Sequence, residues 1–417
     1  MEKLGLLEVL KDTLPTLPVP VLFKNMLRRP DGSYEWKLLQ WDIYDLVNIF
    51  GDKQLPFRIG DHNKRTCATQ HDQCSVEPPI KPIQMTFGQF VNKAYESFGN
   101  KWLYCDYKYM QEWFTDKPEL IESFNWLKFG IGESMGKNGL HSTIWIGSKG
   151  AHTDCHRDTY GYNLVAQVYG RKLWLLYPPN NALIPVRIPY EESTVYSRFN
   201  IYCLSEEEQC YLMESVPVKP KLIVLEPGDV LFVPNGWWHY VESLDTVNIS
   251  VNLWGKLETD ARARVEEALV QLLISKLART ELQETDVNID SYYYTRTVEN
   301  AVIDYKEMEE KKNNERNLEE TQEKSSRKRR RADIWTAKEL AEEYPDHVEL
   351  LKDARSDEYT KFLEERRERD TSIRNQGMTE NINNAPQFDS FLEDLINALC
   401  HPDVINKAAN ILLERFS

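Results

Sequence analysis

The 417 residues predict a mainly β core, an antiparallel double-sheet roll or barrel, braced by N-terminal helices and followed by an α-helical C-terminal region. Three observations carry that expectation. Short apolar and aromatic runs recur at residues 163–169, 172–177, 222–225, 230–233, 240–243 and 247–254. Gly170, Pro178-Pro179, Pro227-Gly228 and Pro234-Asn235-Gly236 punctuate them, with no helical pattern between. After Trp254 the texture changes, because Ala261, Val265, Ala268, Leu269, Leu272, Leu273 and Leu277 fall three and four apart, the stripe of an amphipathic helix.

The remaining elements follow in order. Apolar residues at 4, 6, 7 and 10 predict a one-sided helix over residues 2–14, and residues 18–23 a buried strand. Residues 36–50 read as a helix, 55–59 as a strand and 86–98 as a helix. Between these, residues 61–75 hold His62, Cys67, His71 and Cys74, at intervals that fit no compact zinc knuckle, so a surface loop is expected. The aromatic run 102–113 suits core packing, and the Gly-rich 131–138 a turn. Residues 185–200 connect barrel strands, with Arg187, Glu191, Glu192 and Arg198 as a solvated charge cluster. Residues 306–331 are highly charged, a linker or an exposed helix end, and finish in a basic run at 324–331. Residues 335–369 read as a charged helix, and 388–416 as a helical hairpin turned at His401-Pro402. The expected division is a β domain with its helical support at 1–256, a helical extension at 257–305, a basic linker at 306–333 and a helical region at 334–417.

Composition narrows the classes. A hydrophobic content of 41%, with 11 Trp, 21 Tyr and 15 Phe, fills a large core. A formal charge of −15 repels phosphate backbones and argues against broad nucleic-acid binding. No apolar run approaches the ~18–20 residues that span a bilayer. Seven scattered cysteines and a charged, amphipathic start suit a reducing compartment. A cytoplasmic location is expected, with the basic run 324–331 as a candidate nuclear import address.

The chemistry centres on His156-Arg157-Asp158 and a distant His239. On an extended segment, His-x-Asp places an imidazole and a carboxylate on one side. With a second histidine they form a set that fills one face of an octahedron and suits non-haem Fe(II). His152-Thr153-Asp154 has the same spacing, and periodicity does not choose between the two.

Seven blocks extend the pattern: Thr153-x-x-His156-x-Asp158, residues 163–170, Arg171-Lys172, Tyr177-Pro178-Pro179, Pro227-Gly228-Asp229-Val230, Trp237-Trp238-His239 and Val251-Asn252-Leu253-Trp254. In that order they resemble the JmjC-domain 2-oxoglutarate oxygenases, in their hydroxylase branch, over roughly the first 255 residues. The wording is most similar to members associated with small heat-shock proteins. The resemblance implies a double-stranded β-helix, the cupin-like jelly roll. It implies Fe(II) on His156, Asp158 and His239, with His152 and Asp154 as strand neighbours. It also places the far carboxylate of 2-oxoglutarate on Thr153, Lys172 and Tyr104, with Asn163 and Asn252 lining the same pocket. A Lys ammonium beside a Thr hydroxyl gives that carboxylate a charge-assisted contact.

The function so implied is an Fe(II)- and 2-oxoglutarate-dependent dioxygenase acting as a protein hydroxylase. The alternatives are a non-enzymatic adaptor, whose barrel binds small heat-shock proteins or other partners, and a lysine demethylase. The demethylase ranks lower because no chromatin-reader module is recognisable. The helix after Trp254 either docks on its own barrel or, as in related hydroxylases, pairs in a homodimer.

Overall fold

The structure is a computed structural model that describes residues 2–62, 81–96, 98–180, 183–214, 219–277, 291–323, 334–374 and 390–415. Cys67, His71 and Cys74 of the candidate zinc loop and the basic run 324–331 lie outside the described residues.

The strands are β1 (Val21–Phe23), β2 (Leu55–Asp61), β3 (Ile83–Met85), β4 (Lys101–Tyr109), β5 (Thr143–Gly147), β6 (His152–Asp158), β7 (Tyr162–Tyr169) and β8 (Lys172–Tyr177). They continue as β9 (Pro185–Glu191), β10 (Thr194–Ser197), β11 (Lys221–Leu225), β12 (Val230–Val233), β13 (Trp238–Ser243), β14 (Asn248–Gly255) and β15 (Val348–Leu350). Among the described residues they form two antiparallel sheets, one ordered β15-β1-β12-β7-β14-β5-β4-β2-β3 and the other β11-β8-β13-β6-β10-β9. The chain passes from one sheet to the other between β7 and β8 at Gly170, where φ is +64° and a Cβ would lie 2.2 Å from the Val247 carbonyl oxygen. Only glycine fits there.

Every residue of β8, β12 and β13 is buried. Strands covered on both faces lose the alternation of a half-exposed sheet, which is why their sequences read as continuous apolar runs. On the inner side, Val165, Trp174, Leu176, Leu231, Val233 and Val241 fill one end of the gap between the sheets. The other end stays open as a cavity.

The outer face of the larger sheet rests on α1 (Glu2–Thr13), α2 (Ile43–Phe50) and α3 (Phe87–Tyr95). Phe50 stacks on Phe87 and Phe57 on Phe90, each pair with centroids 4.7 Å apart. Capping boxes start both helices, Asp42 with Asp45 and Thr86 with Gln89. The Asp42 cap shortens the helix expected from residue 36; a 3₁₀ turn at Lys37–Leu39 precedes it. Three one-turn helices, α4 (Met110–Trp113), α5 (Pro118–Glu122) and α6 (Glu133–Gly136), close this side.

Behind the smaller sheet lie α7 (Glu206–Glu214) and, from the C-terminal part, α11 (Ser356–Arg374). Residues 335–369 are therefore not a single helix. Pro345 cannot continue α10 (Ala337–Glu343), and β15 then adds to the sheet edge beside β1, with Val21 opposite Leu350 on one side and Phe232 on the other. Phe362 and Leu363 of α11 pack with Leu175, Tyr177 and Tyr240. Buried Glu242 of β13 pairs with Arg366 at 2.7 Å and Arg369 at 2.9 Å.

Four more helices stand together at the barrel rim: α8 (Asp260–Leu277), α9 (Ser291–Glu323), α12 (Ser390–Leu399) and α13 (Pro402–Arg415). The α12–α13 pair turns at His401, as the sequence suggests. The first part of the charged stretch 306–331 is helical as far as Glu323. Val265, Val270 and Ile274 of α8 are buried against this chain's own α9, α12 and α13, and Leu269, Leu273 and Leu277 of the stripe are partly buried beside them. A buried Arg187–Glu267 pair ties α8 to β9. Among the described residues, no helix is long and apolar enough to cross a membrane.

Candidate active site

The open end of the barrel is a cavity of about 570 Å³, lined from both sheets. Across β6 and β13, His156 lies opposite His239, with ring centroids 4.1 Å apart. Asp158 is on the same side of β6, and one potential ligand atom from each of His156, Asp158 and His239 lies within 4.8 Å of the others. Among the described residues this is the cluster that could hold a metal ion.

Hydrogen bonds prepare the donors. His156 donates from Nδ1 to the Asp154 carbonyl at 2.8 Å, and His239 from Nδ1 to the Trp237 carbonyl at 3.0 Å. A carbonyl only accepts, so each ring keeps its proton on Nδ1 and leaves Nε2 with a lone pair. Burial, reinforced by neighbouring His156, pushes the His239 imidazole down to about 4, so it stays neutral across ordinary pH. Asp158 Oδ2 accepts from Trp254 Nε1 at 3.3 Å, and Oδ1 lies 3.9 Å from His156 Nε2. Two imidazole nitrogens and one carboxylate oxygen are the donor set that fits Fe(II).

A bulge in β6 settles which His-x-Asp faces the cavity. His239 is opposite His156, yet Val241 is opposite Thr153, so β6 carries one more residue than β13 between these pairs. The extra residue reverses the alternation. Thr153 therefore shares the cavity side with His156 and Asp158, although their numbers differ in parity. His152 faces the other way: it is fully buried, stacked on Tyr202 with centroids 3.8 Å apart, and donates from Nδ1 to the Gly150 carbonyl at 2.9 Å.

Residues at 104, 153 and 172 come together elsewhere in the cavity. The Tyr104 hydroxyl is 3.3 Å from Thr153 Oγ1, and Lys172 Nζ lies 5.7 Å from the Tyr104 ring centroid. Lys172 donates to Ser250 Oγ at 2.9 Å. Burial pulls its ammonium down to about 7, with Asp106 opposing the shift. Asn252 Nδ2 reaches Asn163 Oδ1 at 3.4 Å, and Asn252 Oδ1 is buried without a hydrogen bond among the described residues.

Sequence reasoning missed several wall residues. Trp174 lies against His239 at 5.7 Å with rings inclined by 23°, Tyr196 faces His156 at 5.8 Å, and Ser250 holds Lys172. Ser250 was findable, because it stands two residues before Asn252 on the same strand face. Trp174 and Tyr196 are indistinguishable in sequence from core aromatics.

Residues 10–260 match the family described as the cupin-like domain. The chain belongs to that family. The cupin-like match runs through β14 and stops at the first residue of α8, so it covers both sheets up to the C-terminal additions. HSPB1-associated protein 1 of Mus musculus is 37% identical over 314 residues, covering 70% of this chain and 62% of that relative. The chain thus spans about three fifths of the relative's length. Lysine-specific demethylase JMJ30 of Arabidopsis thaliana is 32% identical over 254 residues, covering 60% of this chain and 52% of its own. The 2-oxoglutarate and iron-dependent oxygenase JMJD4 of Danio rerio is 34% identical over 122 residues, 26% of this chain and 25% of that protein. The resemblance to JmjC oxygenases therefore holds, and it includes relatives named as enzymes.

Proposed function

We propose that this cupin-like chain is an Fe(II)- and 2-oxoglutarate-dependent dioxygenase that hydroxylates a protein substrate. The observation that carries the reading is the convergence of His156, Asp158 and His239 in one cavity with buried Lys172. His156 and His239 would bind Fe(II) through Nε2, and Asp158 through the oxygen that Trp254 leaves free. When bound, iron and 2-oxoglutarate supply oxygen activation, with the co-substrate leaving as succinate and CO₂.

The chain's own residues bind and orient. A buried ammonium with no carboxylate in direct contact among the described residues is costly, so an entering carboxylate is drawn to Lys172, where it also meets the Thr153 and Tyr104 hydroxyls. Asn163 and Asn252 line the same cavity, and the unpaired Asn252 Oδ1 offers an acceptor. No side chain is required as a dedicated acid or base. The test is succinate release from 2-oxoglutarate under Fe(II) and air, with and without candidate protein substrates. Release that disappears in His156→Ala supports the reading; a wild-type chain that binds neither metal nor 2-oxoglutarate overturns it.

A second reading rests on the relatives named HSPB1-associated protein 1. In it the chain binds a small heat-shock protein, as substrate or as the partner of an adaptor. Pull-down with a small heat-shock protein separates these outcomes: an adaptor binds equally well as His156→Ala, whereas a substrate is retained more strongly by the metal-loaded chain with a 2-oxoglutarate analogue. For the demethylase alternative, a trimethyl-lysine peptide assay should release no formaldehyde.

A further inference from the structure

Tyr107 has φ +51°, a left-handed conformation that a bulky side chain rarely adopts. It sits on a second bulge. Cys105 is opposite Ile146 and Lys108 opposite Ile144, so β4 carries an extra residue against β5 at the cavity mouth. The bulge sends the Tyr107 ring, 38% exposed, between two indoles, with its centroid 5.3 Å from Trp145 and 5.5 Å from Trp254. Trp145 is pinned by its Nε1–H to Thr143 Oγ1 at 3.1 Å, and Tyr109 donates its hydroxyl to that of Tyr107 at 3.1 Å. Trp254 is left with one polar task, the hydrogen bond to Asp158 Oδ2.

We infer that Trp254 is a positioning residue for Asp158, and that Tyr107 is the wedge that holds the Trp254 indole against that carboxylate. The inference rests on the proposed assignment of His156, Asp158 and His239 as metal ligands. With Oδ2 accepting from the indole N–H, Oδ1 is the oxygen that faces His156, so Asp158 would offer a bound metal one oxygen rather than two. An outer-shell hydrogen bond of this kind typically tunes metal affinity by ~10–100-fold. The unfavourable backbone of Tyr107 is explained on the same basis, since an unbulged β4 would not set the ring between the indoles.

The test uses the full chain and Co(II) as an optical probe of coordination, with melting temperature measured in parallel. Trp254→Phe keeps a ring but removes the N–H; it should weaken Co(II) binding at least ~10-fold and shift the visible bands as Asp158 turns to offer both oxygens. Tyr107→Phe should leave affinity and bands as they are. Tyr107→Gly removes the wedge while suiting the left-handed backbone, so it should weaken Co(II) binding in a chain that still melts in one cooperative transition. Should Trp254→Phe fail to fold, Tyr107→Gly carries the test. A wild-type chain that takes up no Co(II) overturns the metal assignment itself. Wild-type affinity and bands in both Trp254→Phe and Tyr107→Gly overturn this inference while leaving the assignment standing.

Discussion

His152-Thr153-Asp154 and His156-Arg157-Asp158 share a strand, a spacing and a residue pattern, and they end in opposite environments. His156 and Asp158 line the cavity, while His152 lies flat on Tyr202 behind the sheet with no hydrogen bond to its Nε2 among the described residues. The cause is the bulge between Thr153 and His156, which turns the strand by one position. A motif of alternating ligands is thus only as informative as the regularity of the strand that carries it.

The largest effect should come from breaking the inward member. Asp158→Ala is expected to lower Co(II) affinity by more than ~100-fold, since losing even an outer-shell partner costs ~10–100-fold. Asp154→Ala should leave it unchanged; equal losses in the two variants would erase the distinction. On the outward face, Glu242→Gln removes the counter-charge of buried Arg366 and should cost about 3–5 kcal/mol in urea unfolding, with metal affinity retained in the surviving folded fraction.

Next comes Lys172→Met. Loss of a charge-assisted contact worth about 1.5–3 kcal/mol should weaken 2-oxoglutarate while sparing the metal, as read by calorimetry of each ligand. Its titration gives a sharper signature. In the folded chain burial lowers the ammonium to about 7, against an ordinary value of 10.5, so between these limits the unfolded chain holds more protons. Stability of the ligand-free protein should therefore rise with pH across that window. Binding of a dicarboxylate needs the charged form, and calorimetry at pH 8 in buffers of different ionisation heat should show proton uptake that vanishes in Lys172→Met. The smallest effect on the metal belongs to His152→Phe, which keeps a ring on Tyr202 but gives up the Nδ1 hydrogen bond to the Gly150 carbonyl; Co(II) affinity should not change, while urea unfolding should show a loss of about 1–3 kcal/mol.

Much of the barrel was legible because strands covered on both faces become uninterrupted apolar runs between Pro and Gly breaks. The strands β7, β8, β12 and β14 emerge within a residue or two of the runs that announce them. Less visible was β15, three residues inside a charged stretch, whose sheet membership depends on β1 and cannot be sensed locally. Pro345 and β-branched Val348 were the available hints. At the site, the residue types at 156, 158 and 239 pointed to iron, but choosing them over 152 and 154 needed the resemblance, because a bulge leaves no mark in spacing. Trp254 ends the Val251-Asn252-Leu253-Trp254 block, and its contact with Asp158 has no signature in sequence at all.

The order of the larger sheet bears on how the protein is made. β1 is flanked by β12 and β15, partners more than 200 and 300 residues downstream. Glu242 likewise meets Arg366 and Arg369 only when α11 arrives. Pairings this remote form slowly, because a long loop must close before any contact rewards it. A nascent chain halted after the cupin-like segment would carry all three candidate ligands, yet leave a sheet edge bare and a carboxylate stranded in the interior. Closure of the cup thus depends on β15 and α11, chain far downstream of the segment that carries the candidate ligands.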